Sequence, residues 1–120
     1  IEEIQLDQTK NYGIIAGNLL ENSINTYQVT DMVEKPNEKD APSNMAIIGR
    51  YILTPDIFDI LRNIKPDKKG EIQITDALNI QAKRGKVIAY KFEGKRFDCG
   101  SVKGFIKATN YFANKLEINI

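Results

Sequence analysis

An acid and a base stand side by side in the run Val33-Glu34-Lys35-Pro36. A carboxylate accepts hydrogen bonds from hydroxyl groups, and an ammonium is a compact charge suited to phosphate. A sugar phosphate carries both kinds of group, so Glu34 and Lys35 are candidates for holding one. On a strand the two side chains point to opposite faces, and Pro36 restricts Lys35 to extended geometry, so we expect the pair not to contact each other. A solvated strand end is the other interpretation and, from this run alone, the favoured one.

Asp98 is a second candidate, because it stands just before a predicted helix and close to Lys95 and Arg96. Its carboxylate can stabilise the helix start through its charge, which is the favoured interpretation of this residue alone. It can also be a ligand of Mg²⁺, which takes one or two carboxylates together with substrate phosphates. The neighbouring Cys99 is expected to be a small buried residue. The chain has no histidine, which excludes Ser-His and Cys-His nucleophile pairs and His-ligated metals.

The run GEIQITDAL holds a third polar group, Glu71, Gln73 and Asp76. We expect Thr75 to cap a helix here and Asp76 to compensate the dipole of its first turn. No chemistry is assigned to Glu71 or Gln73.

Strands mixed with helices must position these residues, in the predicted order β-β-β-α-(β)α-β-α. The predicted strands are residues 12–16, 27–33, 45–53 and 86–92. The third of them is apolar enough to be a strand buried on both faces. The pattern therefore predicts an α/β fold, with a mixed β-sheet and helices packed on it.

Three helix starts are predicted from residues that can accept a hydrogen bond from the first turn. They are Thr54, Thr75 and Ser101. The last helix has a continuous apolar face between residues 102 and 116, which is expected to pack against the sheet.

The chain of 120 residues, 42% hydrophobic and 28% charged, is long enough for one domain with a small core. Its net charge of +1 gives no reason to expect nucleic acid or an anionic membrane as a partner. No apolar stretch is long enough to cross a bilayer, and no signal peptide is found. The single cysteine cannot form an internal disulfide, which fits a reducing cytoplasm. The chain begins at Ile1 inside a charged, strand-like stretch, so we expect it to be part of a longer protein.

Five runs of the chain, taken in order, resemble those of the bacterial UTP–glucose-1-phosphate uridylyltransferases, or UDP-glucose pyrophosphorylases. They are YGIIAG, VEKP, APSNMAIIGRYILTPDIF, GEIQITDAL and GKRFDCGS. The second and fourth are similar in other sugar nucleotidyltransferases, whereas the third and fifth favour the uridylyl branch. The resemblance extends from about Tyr12 to about Tyr111 and implies the C-terminal portion of a Rossmann-like nucleotidyltransferase fold.

The resemblance also implies a reaction. Such enzymes bring the phosphate of glucose 1-phosphate in line with the α-phosphate of UTP, so that UDP-glucose forms and pyrophosphate leaves. Positioning and charge neutralisation carry catalysis of this kind, and no covalent enzyme intermediate is expected.

The site residues are implied motif by motif. Glu34 corresponds to the carboxylate that binds sugar hydroxyls, and Lys35 to the catalytic lysine on the sugar phosphate. Gly13 corresponds to the glycine whose backbone approaches the sugar, and Ile47 to a backbone contact with the sugar. Asp98 corresponds to one of two aspartates that hold Mg²⁺. The implied cofactor is therefore Mg²⁺, and the implied partners are UTP and glucose 1-phosphate.

The chain departs from the family pattern because it has no Gly-rich phosphate-binding turn. We therefore expect residues 1–120 to be the sugar-phosphate-binding C-terminal part of a nucleotidyltransferase domain, inactive without its nucleotide-binding half. The alternatives are a sugar nucleotidyltransferase that uses dTTP or another nucleotide, a noncatalytic sugar-phosphate-binding module, and a structural domain without a ligand. An exposed sheet edge or apolar face can also lead to a homo-oligomer.

Overall fold

Five strands, three α-helices and two 3₁₀ helices make up residues 1–117, the part of the chain that the computed structural model describes. The strands are β1 (Glu2–Glu3), β2 (Gly13–Leu19), β3 (Thr26–Glu34), β4 (Met45–Ala46) and β5 (Ile88–Tyr90). The α-helices are α1 (Ile57–Asn63), α2 (Ile74–Lys83) and α3 (Val102–Lys115), and the 3₁₀ helices are Leu6–Asn11 and Glu38–Asp40. No helix among these is both long and apolar enough to cross a lipid bilayer.

The strands form one sheet in the order β1-β4-β2-β3-β5. With helices packed on it, this sheet confirms the predicted α/β class. Every pairing within residues 1–117 is antiparallel, so the parallel pairs that a mixed sheet requires are not found in this part. For the central pair, β2 and β3, the length of the connection explains the antiparallel arrangement. Parallel neighbours need a crossover of about a dozen residues or more, whereas β2 and β3 follow each other through a short turn region.

The β2–β3 hairpin contains a bulge that changes which side chains point into the core. Ala16 pairs with Asp31, but the next residue, Gly17, pairs with Val29. One residue of β3 is therefore left without a partner, and the alternation of the strand shifts. Val29 and Met32 are both buried as a result, although they are three residues apart.

One apolar core lies between the sheet and the helices α1 and α2. Its buried members are Ile15, Val29, Met32, Ile57, Ile60, Ala77, Leu78, Ala82 and Ala89. Removal of these side chains from water is the main favourable contribution to folding. The same packing fixes α2 against β3, and this contact carries the candidate site described below.

Helix α2 covers the part of the β3 edge that β5 leaves unpaired. Strand β5 pairs only with residues 26–28 of β3. Further along, the backbone N–H of Met32 donates a hydrogen bond of 3.1 Å to Oδ1 of Asn79. The ammonium of Lys83 lies 3.8 Å from the carboxylate of Asp31. Side chains of α2 thus replace the neighbouring strand that this edge lacks within the described residues.

The apolar run 45–53 is not the buried strand that its composition predicts. Only β4 is a strand, and Gly49 has a φ of +74°, which is outside strand geometry. Ile52 and Leu53 are exposed. A strand buried on both faces needs neighbours along its whole length, and within residues 1–117 no strand pairs with this run beyond β4. The prediction was wrong because composition shows which residues can be buried and not what covers them.

Of the three predicted helix caps, only Ser101 is confirmed. Its Oγ accepts a hydrogen bond of 3.1 Å from the N–H of Gly104 in the first turn of α3. The hydroxyl of Thr54 instead donates to the carboxylate of Asp56, and neither side chain caps α1. Thr75 lies inside α2, one residue after its start, so this prediction was wrong as well.

Helix α3 exposes the apolar face that the sequence predicts for it. Of its residues only Ala113 is buried, whereas Val102, Phe105 and Phe112 are exposed. The ring of Phe97 lies 6.0 Å from that of Phe112 and ties the preceding loop to the helix. The radius of gyration of 16.6 Å exceeds the value of about 13.6 Å typical of a compact domain of this length. The expectation that this face packs against the sheet was wrong for residues 1–117.

Candidate active site

Glu34 ends β3 directly opposite Gly13, the first residue of β2. A Cβ placed on Gly13 would lie 3.1 Å from Oε2 of Glu34 and 3.0 Å from Cδ1 of Ile47. The structure therefore brings together Gly13, Glu34 and Ile47, three of the residues predicted from the sequence. Glycine suits this position because a side chain would require Glu34 and Ile47 to shift slightly.

The first turn of α2 holds the same carboxylate from another side. Thr75 is buried, and its hydroxyl donates a hydrogen bond of 2.9 Å to Oε2 of Glu34. The positive end of the helix dipole also favours a negative charge at this place. The Glu34 side chain remains 34% exposed. One carboxylate oxygen is thus held by the protein while the side chain stays accessible to a ligand.

Lys35 follows the last residue of β3 and has a φ of +47°, in the left-handed region. Two contacts hold the chain there. The backbone N–H of Lys35 donates to the carbonyl of Tyr12 at 3.0 Å, and the hydroxyl of Thr9 shares its proton between the carbonyls of Leu6 at 2.9 Å and Pro36 at 3.1 Å. The prediction of extended geometry at Lys35 was wrong, because these tertiary contacts outweigh the local preference of a residue before proline.

The ammonium of Lys35 lies 3.8 Å from Oε1 of Glu34. The expectation that the two side chains do not contact each other was therefore also wrong. Alternation of side chains applies only within a strand, and β3 ends at Glu34. The Lys35 side chain is 62% exposed, so the ion pair itself contributes little to stability. What it provides is a carboxylate and an ammonium presented together at the surface.

Ile47 and Tyr51 bring the apolar run 45–53 to the site. The N–H of Ile47 donates a hydrogen bond of 2.8 Å to the carbonyl of Gly13. Burial, and after it the negative charge of Glu34, raise the pKa of the Tyr51 phenol above its ordinary value of 10.0. The phenol therefore lies within the electrostatic influence of the Glu34 carboxylate.

Asp98 lies in the loop before α3, and no hydrogen bond or ion pair within residues 1–117 joins it to Glu34. Its carboxylate is exposed, and its Oδ1 accepts a hydrogen bond of 2.9 Å from the N–H of Gly100. Arg96, two residues earlier, ties this loop to the start of the sheet. Its Nε lies 2.7 Å from Oε2 of Glu2, and its terminal nitrogen donates to the hydroxyl of Tyr12 at 3.1 Å. Tyr12 immediately precedes β2, so the loop is fixed near the site.

Asp98 offers one carboxylate to a cation. The loop is packed tightly on α3, because a Cβ on Gly104 would overlap the carbonyl oxygen of Asp98. Within the described residues no group of three or more His, Cys, Asp or Glu side chains is placed to hold a metal ion. Mg²⁺ takes one or two carboxylates together with phosphates and water. The loop therefore fits one ligand of such a site. The adjacent Cys99 is exposed, so the expectation of a buried cysteine was wrong.

A cleft of about 470 Å³ opens on the apolar side of the site. Its lining is mainly aliphatic and includes Ile47, Tyr51 and Ile52, but neither Glu34 nor Lys35. Its polar side-chain groups are those of Arg50, Tyr51 and Tyr90, and most of its surface is apolar. The cleft therefore belongs to the uncovered apolar surface, and the polar part of the candidate site is the Glu34–Lys35 pair.

Residues 3–115 match the family model described as nucleotidyl transferase. The chain belongs to the nucleotidyl transferase family. Among curated relatives of the chain, the UTP–glucose-1-phosphate uridylyltransferase of Pseudomonas aeruginosa is 59% identical over 92% of this chain and 39% of its own length. The UTP–glucose-1-phosphate uridylyltransferase 2 of Staphylococcus saprophyticus is 46% identical over 98% of this chain and 40% of its own length. The chain thus spans about two fifths of the length of these relatives.

Solved structures of the nucleotidyl transferase family have the same fold. A UDP-glucose pyrophosphorylase in complex with UDP-glucose is 60% identical, with a TM-score of 0.86 over 95% of this chain and 43% of that chain. A UTP-bound UGPase from Acinetobacter baumannii is 33% identical, with a TM-score of 0.76 over 95% of this chain and 38% of that chain. The resemblance drawn from the five sequence runs is confirmed.

Sequence reasoning missed two residues that interact with Glu34, Thr75 through a hydrogen bond and Tyr51 through the effect of the Glu34 charge on its pKa. Thr75 was interpreted as a helix cap, and Tyr51 as part of a buried strand. Both lie far from Glu34 in the sequence, and their proximity depends on how α2 and the run 45–53 pack. The only signals in the sequence were the presence of Thr75 in the GEIQITDAL run and of Tyr51 in the APSNMAIIGRYILTPDIF run, both of which resemble the family.

Glu71 and Gln73, to which no chemistry was assigned, build the loop that leads into α2. The side-chain amide of Gln73 donates to Asp67 at 3.0 Å and to Glu71 at 3.2 Å. The backbone N–H groups of Lys69 and Glu71 also donate to Asp67. These hydrogen bonds, that from Gln73 first, lower the pKa of the Asp67 carboxyl. The loop therefore fixes the start of the helix that carries the threonine in contact with Glu34.

Replacement of Glu34 by Gln is predicted to lower the pKa of Tyr51. The substitution removes the negative charge that opposes ionisation of the phenol, while burial, the larger cause, is unchanged. The pKa should therefore fall towards 10.0 without reaching it. Ultraviolet absorbance of tyrosinate against pH, corrected with a Tyr51→Phe variant, measures the shift. Glu38→Gln, a change at another exposed acid, is the control, and an equal pKa in both variants would contradict the proximity of Tyr51 and Glu34.

Proposed function

We propose that the polypeptide carrying residues 1–120 transfers a uridylyl group from UTP to glucose 1-phosphate, forming UDP-glucose and releasing pyrophosphate. The observation that carries the proposal is the Glu34 carboxylate held 3.8 Å from the Lys35 ammonium beside Gly13. The names of the relatives support the choice of nucleotide and sugar. Pyrophosphate release from UTP compared with dTTP tests it, and a preference for dTTP would replace the uridylyl assignment by a thymidylyl one.

Glu34 is proposed to bind sugar hydroxyls. Its Oε2 already accepts a hydrogen bond from Thr75, whereas Oε1 faces the exposed Lys35 ammonium. A carboxylate oxygen accepts hydroxyl hydrogen bonds, and hydrogen bonds to an ionised acceptor are stronger than neutral ones. A sugar hydroxyl can therefore use Oε1 without displacing the contact that holds the side chain.

Lys35 is proposed as the catalytic residue that binds the phosphate of glucose 1-phosphate. An oxygen of this phosphate attacks the α-phosphorus of UTP, a new P–O bond forms, and the bond to the pyrophosphate leaving group breaks. The fixed charge of Lys35 positions the attacking group and reduces its repulsion by the triphosphate. Exposure of the ammonium favours this role, since the weak pair with Glu34 is easily replaced by a phosphate.

Gly13 and Ile47 are proposed to let the sugar approach the main chain. The space beside Gly13 is shared by the Glu34 carboxylate and the Ile47 side chain, so a ligand bound to Glu34 also meets both residues. A side chain at residue 13 would fill the space beside the main chain that the sugar needs.

Asp98 is proposed to supply one oxygen ligand to Mg²⁺. The ion, when bound, neutralises phosphate charge during the transfer. The loop from Arg96 to Asp98 is tied to Tyr12, next to the glycine of the site, which supports this role. Phosphate oxygens, water and a carboxylate outside residues 1–120 would complete the coordination.

Residues 1–120 are proposed to be the sugar-phosphate-binding C-terminal part of a nucleotidyl transferase domain. The coverage of 39% of a curated relative, the absence of a Gly-rich phosphate-binding turn and the exposed face of α3 support this assignment. We expect no turnover from these residues alone, because half of a two-substrate site cannot align the reactants. A homo-oligomer and a cytoplasmic location stay predictions, supported by the exposed apolar surface and by the unpaired Cys99 respectively.

Replacement of Lys35 by Ala is predicted to weaken glucose 1-phosphate binding. Loss of an ammonium–phosphate contact should cost about 1.5–3 kcal/mol, which is roughly tenfold or more in the dissociation constant. Calorimetric titration of the polypeptide carrying residues 1–120 measures the change. The control is Lys39→Ala, which removes an exposed lysine four residues further along. Equal affinities of the two variants would remove Lys35 from the phosphate site.

Replacement of Asp98 by Asn is predicted to weaken Mg²⁺ binding, because an amide oxygen is a poorer ligand for a hard cation than a carboxylate. Calorimetric titration of Mg²⁺ into the protein saturated with UDP-glucose measures the affinity without relying on turnover. Asp76→Asn is the control, since Asp76 is also exposed but lies in the first turn of α2. An unchanged Mg²⁺ affinity in Asp98→Asn would mean that Asp98 is not a ligand.

A further inference from the structure

Three polar side chains of α2 follow the edge of β3. They are Thr75, Asn79 and Lys83, spaced by four residues and therefore on one face of the helix. Their partners on β3, in reverse chain order, are the Glu34 carboxylate, the Met32 N–H and the Asp31 carboxylate. Helix and strand thus run antiparallel along this contact.

The lengths of the two elements match. Eight residues of α-helix cover about 12 Å, and the three steps from Asp31 to Glu34 cover about 10 Å of strand. The helix therefore cannot slide along the strand without losing all three contacts at once. This alignment places the hydroxyl of Thr75 at the end of β3, where the Glu34 carboxylate lies.

We propose that Thr75 is a positioning residue for Glu34, an inference that rests on the proposed function. Its hydroxyl donates to Oε2 at 2.9 Å and so selects one rotamer of the glutamate. Oε1 is left beside Lys35, where it is free to accept a hydrogen bond from a sugar hydroxyl. Thr75 is buried, so it acts through Glu34 and does not touch the substrate.

The surroundings of Glu34 leave the hydrogen bond from Thr75 to set the rotamer of the glutamate. Gly13, its partner across the hairpin, has no side chain that can hold the carboxylate in place. Within residues 1–117 no other side chain donates a hydrogen bond to Glu34, because the Lys35 ammonium lies at 3.8 Å, beyond hydrogen-bond length. Without the hydroxyl, a glutamate with rotatable side-chain bonds is free to take other rotamers.

Replacement of Thr75 by Val removes the hydroxyl while keeping the shape and the branching at Cβ. In the polypeptide carrying residues 1–120 we expect KM for glucose 1-phosphate to rise about tenfold, the size expected for a lost hydrogen bond to a charged group. The KM for UTP should change little, because neither Thr75 nor Glu34 is assigned a contact with UTP, and kcat should fall less than KM rises, because Lys35, which holds the attacking phosphate, is unchanged. Thr75→Ser keeps the hydroxyl and should restore a KM close to that of the unchanged protein.

Thr109→Val is the matched control, because Thr109 on α3 also donates a hydrogen bond, to the carbonyl of Phe105, and is exposed. It should leave all three kinetic parameters unchanged. If Thr75→Val lowers thermal stability but leaves KM for glucose 1-phosphate unchanged, Thr75 is only structural and the inference is overturned.

Crystal structures of the unchanged protein and of Thr75→Val without ligand test the inference separately from the proposed function. We expect the Glu34 carboxylate to leave its place between Gly13 and Ile47 in the variant. An unmoved carboxylate would contradict the positioning role even if the protein uses glucose 1-phosphate. Failure of the unchanged protein to use UTP and glucose 1-phosphate would instead overturn the proposed function, while the structures still decide whether Thr75 positions Glu34.

Discussion

The Glu34 carboxylate packs closely against the main chain of β2, at the position where residue 13 is a glycine. The hairpin register sets Glu34 opposite Gly13, and a Cβ there would lie 3.1 Å from Oε2. The carbonyl of Gly13 also accepts a hydrogen bond from the N–H of Ile47, which brings the run that follows β4 to the site. Helix α2 then holds Oε2 through Thr75. Three distant segments of the sequence thus meet at one carboxylate, and a change of register in the hairpin would separate them.

The backbone of Lys35 shows how the fold outweighs local preference. A residue other than glycine in the left-handed conformation costs on the order of 1–3 kcal/mol, whereas the exposed ion pair with Glu34 contributes only about 0–1 kcal/mol of stability. The ion pair therefore cannot be the cause of this conformation. The backbone contact with Tyr12 and the bond from Thr9 to Pro36 hold the chain instead. Lys35 is fixed at its backbone while its ammonium stays free to bind an anion.

Much of the fold and part of the candidate site could be predicted from the sequence. Periodicity gave the α/β class and the long last helix with its cap at Ser101, and the family resemblance selected Gly13, Glu34 and Ile47 before their contacts were known. The predictions that were wrong concern features that depend on tertiary contacts. Composition predicts that the run 45–53 is buried, but burial depends on a covering surface that residues 1–117 do not provide. The contact between Thr75 and Glu34 spans 41 residues and follows from helix packing, for which periodicity carries no information.

The central claim is that Glu34 and Lys35 together bind the two ends of a sugar phosphate. A crystal structure of the polypeptide carrying residues 1–120 with UDP-glucose tests it most directly. The account predicts sugar hydroxyls at hydrogen-bond distance, about 3 Å, from the Glu34 carboxylate, with the Lys35 ammonium on the phosphate next to the sugar. A sugar bound elsewhere, with the Glu34–Lys35 ion pair intact and facing solvent, would contradict it.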